Sequence, residues 1–380
     1  MRVTVVTESA GVWGAERSLL QIVDSLSILD RGSPSFDFVI GRNSPLVSEL
    51  KSRGYKWNEF NFTPMKLPDR RYSSGVAKVA RWLNRGLWLV GAGWRGVRLS
   101  ALVKSSDVIL CFSAHQVLEA FIASRIVGSR LVLDLHETWG GRMLIMLVRI
   151  LACIGVIVVS PSRSLLDRCK VSDGVVVPRG VDPSVLGGQV RATPAMAGGL
   201  RRIGIVGQVV PHKRVLEVAR AFIDADTTTC QLVIVGFSSV EEPSAYEREV
   251  IRVSAPHSRI TLQERTDDPN SVISQLDVLI NSSVHEAFGR TIIEALASGA
   301  LPVSVGGAAG PQEIIRDVGT GVVLDDFGEL SDFFTAINKG GVDAAFTQRE
   351  RLRRNEVAKR YSINRLAPLY LSVLGTGAHE

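Results

Sequence analysis

Two glutamates, Glu286 and Glu294, lie on either side of the predicted start of a helix. They follow the predicted strand Val278–Asn281, and the helix is predicted to begin near Arg290. Unpaired N–H groups and the helix dipole make a helix N-terminus favourable for phosphate or sugar oxygens. Ionised carboxylates accept hydrogen bonds from sugar hydroxyls. The spacing therefore predicts a binding site for an oxygen-rich ligand around the start of this helix.

Backbone N–H groups between the glutamates complete this candidate site. They belong to Phe288, Gly289, Arg290 and Thr291. Gly289 lets the backbone approach a ligand closely. The segment from Thr291 to Glu294 also fits a capping box, in which Glu294 would satisfy backbone donors for a purely structural purpose. The residues alone leave both interpretations of Glu294 open.

A second phosphate-compatible feature follows the predicted strand Arg202–Val206. Gly207 ends this strand in a glycine turn, Gln208 comes next, and Lys213 lies at the opening of the following helix. A lysine ammonium there is able to neutralise a diphosphate as a mobile point charge, although most lysines are simply exposed. The glycines lack the GxGxxG spacing and no acid is placed for a ribose, so binding of a nicotinamide cofactor is not predicted.

Two features of the first half of the chain lie at comparable strand ends. Gly14 belongs to a glycine-bearing loop that opens a helix, which suits either a phosphate or a structural turn. His136 and Glu137 follow the predicted strand Leu131–Leu135, where side chains point toward a ligand crevice. A lone histidine is more often structural, and the adjacent acid makes His136 a candidate catalytic residue.

Metal and disulfide chemistry have little support in the sequence. The four cysteines form no CxxC pair and have no histidine at metal-ligand spacing, so reduced thiols are predicted. Asp224-Ala-Asp226 has the spacing of a DxD metal motif, but it ends the helical pattern Val215–Ile223 rather than a strand. We therefore predict no metal site.

The distribution of charged and apolar residues bears on membrane contact. Between Lys66 and Lys104 there are nine lysines and arginines, one acid and three tryptophans. This composition is typical of a solvated helix face or of attachment to an anionic membrane surface. No nucleic-acid motif accompanies it. The apolar run Met143–Val159 contains Arg149 and Gly155, which favours a buried helix followed by a strand over a membrane span.

Short β-branched apolar runs alternate with helical patterns along the chain. The predicted strands are Val3–Thr7, Phe36–Ile40, Val108–Phe112, Leu131–Leu135, Val156–Ser160, Arg202–Val206, Gln231–Val235, Arg259–Leu262, Val278–Asn281 and Leu301–Val305. The alternation predicts an α/β protein with parallel sheets covered by helices. Residues 183–200, rich in Gly, Ala and Pro, predict a linker between doubly wound domains at 1–182 and 201–359.

The ordered series of motifs resembles glycosyltransferase family 4, a family of retaining enzymes with the GT-B fold. The matching positions are Gly14-Ala-Glu16, His136-Glu137, Pro178-Arg-Gly-Val-Asp182, Gly207 with Lys213, Glu286-x7-Glu294, Gly299-Ala-Leu-Pro302-Val303, Gly306-Gly307 with Glu313, and Gly319-Thr-Gly321. Trp13 stands where the family usually has glycine, and Gln208 where it usually has arginine. The resemblance implies two Rossmann-like, doubly wound parallel-sheet domains facing across a cleft. A C-terminal helix at about 360–380 would cross back to the first domain.

The resemblance also implies a role for each candidate residue. Glu286 and His136 would be the catalytic residues, both in contact with the donor sugar. Glu294 would bind the nucleotide ribose, and Lys213 would stabilise the leaving diphosphate. The other donor-binding positions would be Gly14, Gly207, Gln208, Phe288, Gly289, Arg290 and Thr291. Because Gln208 is neutral, we predict that the diphosphate is held mainly by Lys213 and backbone amides.

The predicted function is that of a retaining glycosyltransferase that moves a hexosyl group from a UDP- or GDP-sugar to a hydroxyl acceptor without a metal or other cofactor. The first domain would bind the acceptor and the second the donor. Segment 66–104 suggests a lipid-linked or cell-envelope acceptor, and a cytoplasmic protein peripheral to the inner face of an anionic membrane. No nucleic-acid partner is predicted. Glycosylation of a secondary metabolite, an epimerase or phosphorylase of the same architecture, and a non-catalytic scaffold are the alternatives.

Overall fold

The chain divides into two compact units, each built on one parallel sheet. The computed structural model describes residues 1–9, 11, 14–28, 33–62, 75–136, 142–187, 190, 200–307 and 309–375, and of 75–88 it describes the backbone alone. The first unit comprises Met1–Val177 and Ala367–Glu380, and the second comprises Pro178–Leu366.

The first unit contains a seven-stranded sheet in the order β3-β2-β1-β4-β5-β6-β7. Its strands are β1 (Arg2–Thr7), β2 (Ser35–Gly41), β3 (Lys56–Phe60), β4 (Val108–Cys111), β5 (Arg130–Asp134), β6 (Ile157–Ser160) and β7 (Val175–Val176). Its helices are α1 (Gly14–Ser27), α2 (Leu46–Ser52), α3 (Gly75–Val103), α4 (Val117–Val127), α5 (Arg142–Cys153) and α6 (Arg163–Cys169), with a 3-10 turn at Ala114–Gln116. All neighbouring strands are parallel, as expected when helices connect them.

The second unit contains a six-stranded parallel sheet in the order β10-β9-β8-β11-β12-β13. Its strands are β8 (Arg201–Val206), β9 (Cys230–Phe237), β10 (Ile260–Glu264), β11 (Val278–Asn281), β12 (Leu301–Val305) and β13 (Val322–Leu324). Its helices are α7 (Pro183–Leu186), α8 (Val215–Asp224), α9 (Ala245–Ser254), α10 (Pro269–Ile273), α11 (Arg290–Ala297), α12 (Ala309–Val318), α13 (Phe327–Asn338) and α14 (Gln348–Ala358). Three 3-10 turns cover Pro211–Lys213, Asp343–Phe346 and Lys359–Tyr361.

Strand β11 illustrates how this sheet is buried on both faces. Val278 and Ile280 belong to one apolar cluster, together with Phe222 of α8. Leu279 belongs to another, together with Ile292 of α11. Successive side chains of a strand point to opposite faces, so an unbroken apolar run is what a sheet covered by helices on both faces requires.

The ten predicted strands all occur, and none of their ends differs by more than two residues. Two strands end two residues later than predicted: the one predicted over Gln231–Val235 runs to Phe237, and the one predicted over Arg259–Leu262 runs to Glu264. Three further strands were not predicted. Most side chains of β3 are polar and at least partly exposed. The apolar strands β7 and β13 have only two and three residues, which is too short for a strand to be predicted from local pattern.

The segment predicted as a linker differs from the structure at its start. Residues Pro183–Leu186 form α7, whose first turn is capped by the Asp182 carboxylate accepting from Ser184 N at 2.8 Å. Residues 188–189 and 191–199 lie outside the described part of the chain. Just before α7, Val181 exchanges backbone hydrogen bonds with Tyr361 and Ile363 of the same unit, at 2.9 and 3.0 Å.

The final helix, α15 (Ile363–Gly375), begins in the second unit and ends in the first. Within the first unit its Tyr370 hydroxyl donates to the buried Asp134 carboxylate. The apolar run Met143–Val159 forms α5 and then β6, in the predicted order of helix and strand, but α5 is not fully buried, because Met146 and Ile150 are exposed. Among the described residues, none of the helices combines the length and the apolar character that crossing a bilayer requires.

Candidate functional site

The candidate donor residues of the second unit gather where the strand order of its sheet reverses. From β8 the chain proceeds to β9 on one side, whereas β11 lies on the other side of β8 and leads on to β12. In open α/β sheets ligands bind at such a switch point, outside the carboxyl ends of the strands. Lys213 lies in the connection after β8 and Glu286 in the connection after β11.

Lys213 and Glu286, distant in sequence, form an ion pair at this point. The Lys213 ammonium donates to Oε2 of Glu286, and Ser283 Oγ donates to the same oxygen at 3.4 Å. The Lys213 and Glu286 side chains are 26% and 24% exposed, so both remain accessible from solvent. The sequence predicted each residue for the site, and the structure brings their charged atoms together.

Two further hydrogen bonds hold the two connections against each other. Ser282 Oγ donates to the Lys213 carbonyl at 2.7 Å, and Val284 N donates to the His212 carbonyl at 2.8 Å. Burial lowers the pKa of His212, and the neighbouring Lys213 charge lowers it further. His212 therefore favours its neutral form beside Lys213. Ser282 and His212 were not predicted for this site, because their contacts depend on the folded path of both loops.

Helix α11 begins at Arg290, as predicted, but the capping-box interpretation of Glu294 is wrong. The residue at the N-cap is Gly289, with φ 98°, and no side chain caps the helix. Glu294 lies in the second turn, 6% exposed, with Oε1 3.6 Å from Nη2 of Arg290. A capping box would need Thr291 at the N-cap, whereas Thr291 is the second residue of the helix. Glu294 instead forms an ion pair with Arg290, in which the Glu294 carboxylate is buried and the Arg290 side chain is 17% exposed.

Gly289 and Phe288 fix the path of the backbone into α11. A Cβ at Gly289 would lie 2.8 Å from Pro311 Cγ, and its φ lies in the region that side chains disfavour. Phe288 is buried, with its ring 6.0 Å from that of Tyr361. The Phe288 side chain thus anchors the loop in the core, and its predicted role in binding concerns its backbone N–H only.

The glycine turn after β8 is held by backbone contacts. Gly207 N donates to Val235 O at 3.0 Å, and Gly207 is exposed with φ 150°. A Cβ at Gly236 would lie 1.9 Å from Gly207 O, so only glycine fits at that position. The neighbouring Gln208 is half-buried, and its side-chain amide makes no hydrogen bond within the described residues. The predicted diphosphate contacts of Gly207 and Gln208 stay predictions.

The other two candidates, Gly14 and His136, belong to the first unit. Gly14 is exposed and is the first residue of α1. His136 follows β5, and its ring stacks on Phe112 with centroids 4.3 Å apart. Glu137 lies outside the described residues. The structure therefore places both candidates after strand ends, and their roles toward a donor stay predictions.

A carboxylate that the sequence did not single out follows β1. Glu8 Oε2 accepts from Gln116 Nε2 at 3.0 Å, and Gln116 is buried beside Glu119, which is paired with Arg95 at 2.8 Å. Burial raises the pKa of Glu8, while Gln116 and His115 lower it by smaller amounts. Because β1 and β4 flank the strand-order reversal of the first sheet, Glu8 occupies a second switch point. Its only sequence signal is an acid directly after a buried strand.

The DxD-like segment lies at an exposed helix end. Helix α8 ends at Asp224, and both Asp224 and Asp226 are exposed, as the sequence predicted from the helical pattern. Within the described parts of the chain, no group of three or more His, Cys, Asp or Glu residues could hold a metal ion.

The second unit matches a known family of proteins. Residues 191–355 match the family described as Glycosyl transferases group 1. The matched residues make up less than half of the chain. A GDP-mannose-dependent alpha-mannosyltransferase of Mycolicibacterium smegmatis is 31% identical over 123 residues, which is 32% of this chain and 30% of that protein. The lipopolysaccharide core biosynthesis glycosyltransferase LpsE of Rhizobium meliloti is 31% identical over 111 residues, 29% of this chain and 32% of that protein.

The matched segment thus spans about a third of the length of these curated relatives. Together with the family match, they support the prediction that the chain is a transferase enzyme. Two solved structures resemble nearly the whole chain. A glycosyltransferase of Rickettsia africae has a TM-score of 0.73 at 19% identity, covering 98% of this chain and 97% of its own. Anabaena HepE in complex with UDP has a TM-score of 0.73 at 16% identity, covering 98% and 100%. The predicted GT-B fold, with two parallel-sheet domains, is confirmed.

Proposed function

We propose that this chain is a retaining glycosyltransferase that transfers a hexosyl group from a nucleoside diphosphate sugar to a hydroxyl acceptor. The observation that carries the proposal is the Lys213–Glu286 ion pair at the switch point of the second unit, most of which matches the Glycosyl transferases group 1 family. It puts a cation suited to phosphate and a carboxylate suited to sugar hydroxyls side by side on one rigid sheet edge.

The chemistry of transfer needs this combination. Cleavage of the bond between the anomeric carbon and phosphate builds negative charge on the leaving diphosphate and positive charge on the sugar ring. Lys213 and the backbone N–H groups at the start of α11 would stabilise the first charge. Glu286 would hold the sugar through its hydroxyls. Because Glu286 is already paired with Lys213, we assign it to hydrogen bonding rather than to nucleophilic attack. Attack on the same face, with the leaving phosphate assisting as base, then retains configuration.

Two donors deserve first trial. The Mycolicibacterium smegmatis relative is named as GDP-mannose-dependent, and Anabaena HepE was solved with UDP and with UDP-glucose. These names support guanosine or uridine diphosphate sugars as the donor class. We propose that Glu294 binds the ribose of this nucleotide, with its carboxylate oriented by Arg290.

The acceptor is proposed to be lipid-linked or part of a cell-envelope glycan, used at the inner face of a membrane by a cytoplasmic, peripheral protein. Helices α3 and α5 contain no acidic residue. On α3, Trp94 is 62% exposed and Arg98 lies over its ring at 4.7 Å. On α5, Met146 and Ile150 are 55% and 50% exposed. Exposed aromatic and apolar side chains interleaved with arginine suit an anionic lipid surface.

A donor screen tests the proposed function. Purified protein is incubated with GDP-mannose, UDP-glucose and other nucleotide sugars, and released GDP or UDP is measured with and without membrane lipid. We expect release from one donor class, reduced about a hundredfold by Lys213→Ala. The matched control is Lys359→Ala, which removes a lysine paired with Glu356 on the exposed end of α14. Failure to bind any nucleotide sugar by calorimetry would favour the non-catalytic scaffold.

A further inference from the structure

Arg214 has a backbone conformation that its side chain disfavours. It stands between the 3-10 turn Pro211–Lys213 and helix α8, with φ 52° and ψ 37°, in the left-handed region. Glycine adopts this conformation without steric cost, whereas other residues adopt it under strain. Strained backbone persists where the surrounding structure enforces it, and it concentrates at functional sites. We therefore looked to the contacts of the Arg214 side chain for what offsets this strain.

The Arg214 guanidinium reaches the loop after β12. Its Nη1 lies 3.4 Å from the Gly306 carbonyl, and its Cζ lies 5.7 Å from the centroid of the Phe327 ring. A Cβ at Gly306 would lie 2.9 Å from this Nη1, so a side chain there would displace the end of the Arg214 side chain. Gly307, the next residue, is exposed, and a Cβ there would meet no atom within 4 Å.

Among the described residues, the Arg214 guanidinium makes one hydrogen bond and no ion pair. One long contact to a carbonyl uses a single donor of the guanidinium, which has five. No carboxylate in the described part of the chain forms an ion pair with it. Lys213, its neighbour, turns instead to Glu286 in the loop after β11. Two successive cations are thus directed to two adjacent strand ends of one sheet edge, since β11 and β12 are neighbours.

We propose that Arg214 binds the diphosphate of the nucleotide donor, supplying the permanent charge that the neutral Gln208 lacks. This inference rests on the proposed function. The guanidinium fork is able to contact two phosphate oxygens at once, which an ammonium does not do. The left-handed backbone sends consecutive side chains of Lys213 and Arg214 toward different loops, so that a diphosphate at the sheet edge would be held from both sides.

The test is nucleotide binding by titration calorimetry, with GDP, UDP and inorganic pyrophosphate as probes. Arg214→Gly removes the charge and relieves the backbone strain together. We expect it to raise the Kd of the nucleotide about tenfold and to weaken pyrophosphate in parallel, with a melting temperature no lower than that of the natural protein. Arg214→Lys should give an intermediate Kd, because it restores charge without the fork.

Lys170→Gly is the matched control. Lys170 is an exposed basic residue that also has a left-handed backbone, with φ 54°, at the C-terminal end of α6 in the first unit. Its replacement should leave the nucleotide Kd unchanged. A Kd within twofold of the natural value for Arg214→Gly would overturn the inference, and so would a lowered melting temperature with unchanged Kd, which indicates a structural role. Absence of GDP and UDP binding in the natural protein would refute the proposed function itself, and this inference with it.

Discussion

The ion pair between Lys213 and Glu286 predicts that one substitution changes nucleotide binding and sugar transfer in opposite directions. A diphosphate that binds the Lys213 ammonium competes with the Glu286 carboxylate for it. The substitution Glu286→Gln keeps the size of the side chain and removes its charge. We expect it to tighten the binding of free GDP or UDP, and at the same time to reduce sugar transfer because the sugar loses a charged hydrogen-bond acceptor.

The size of the effect follows from the exposure of the pair. At an effective dielectric constant of about 20, opposite charges roughly 3 Å apart attract by about 5 kcal/mol. The two side chains are 26% and 24% exposed, so lost hydration and side-chain ordering cancel most of this attraction. A net value of about 1 kcal/mol remains, which corresponds to about a fivefold decrease in the Kd of the nucleotide. The loss in turnover is expected to be about a hundredfold.

The assay combines two measurements on the same preparations. Calorimetry with GDP and UDP gives the Kd, and release of nucleotide from the preferred donor gives the turnover. The salt dependence adds a check, because the fivefold gain should shrink as ionic strength rises and screens the natural ion pair.

Glu294→Gln is the comparison that separates the two carboxylates of the motif. Glu294 is proposed to bind the ribose, so its replacement should weaken nucleotide binding, about tenfold, rather than tighten it. The reasoning on Glu286 would be refuted by a Glu286→Gln protein that binds GDP and UDP more weakly than the natural protein, or that retains full turnover. Equal effects of both substitutions on nucleotide binding would contradict the different roles assigned to the two carboxylates.

Three further outcomes follow from other parts of the structure. Burial raises the pKa of Glu247, but hydrogen bonds from two serines hold it at about 2, below the ordinary 4.5. Its ionised form should therefore contribute about 3 kcal/mol of stability above pH 4.5 that is lost as the pH falls toward 2, and Glu247→Gln should flatten acid denaturation in this window. Asp277 and Arg351 form an ion pair with side chains 1% and 2% exposed. Asp277→Asn should lower the melting temperature by about 10 °C, because it leaves the Arg351 charge buried without a partner charge. A decrease of less than about 3 °C would contradict this expectation. Replacing Trp94 by alanine and Arg98 by glutamine together should reduce sedimentation with phosphatidylglycerol vesicles about tenfold. Vesicle binding that changes neither with these substitutions nor with the lipid charge would show that this helix face does not bind the membrane.

The positions of most strands were predictable from the sequence, because these strands are continuous apolar runs. The order of the strands within each sheet was not predictable. Each buried strand of a doubly wound sheet reads as such a run, as Val278–Asn281 does. The edge strand β3 carries mostly polar, exposed residues, and the edge strand β13 has only three residues, so local pattern alone misses both. Strand order depends on contacts between residues far apart in the chain, which no local pattern records.

The candidate site shows the same division. Glu286 and Lys213 were predictable because each follows a buried strand, and parallel strands end at one edge. Their ion pair was not, since it requires the Ser282 hydroxyl and the neighbouring loop atoms to hold both connections together. Arg214 and Glu8 escaped prediction for different reasons. The left-handed conformation of Arg214 has no sequence signal in a residue other than glycine, and Glu8 gains meaning only once β1 and β4 are known to be neighbours.

The two ion pairs of the Glu286–Glu294 segment differ in what a ligand is able to do to them. Glu294 is 6% exposed and lies beside Arg290 on the same helix, so its carboxylate is fixed by the fold and little of it faces solvent. Separating a buried pair leaves a charge without compensation, which costs several kcal/mol. Glu286 and Lys213 are about one quarter exposed and belong to two different loops, so both are able to exchange partners with a ligand at a cost near 1 kcal/mol. A bound donor would therefore meet one carboxylate that the fold holds in place, and one ion pair that opens so that Lys213 binds the diphosphate and Glu286 binds the sugar hydroxyls.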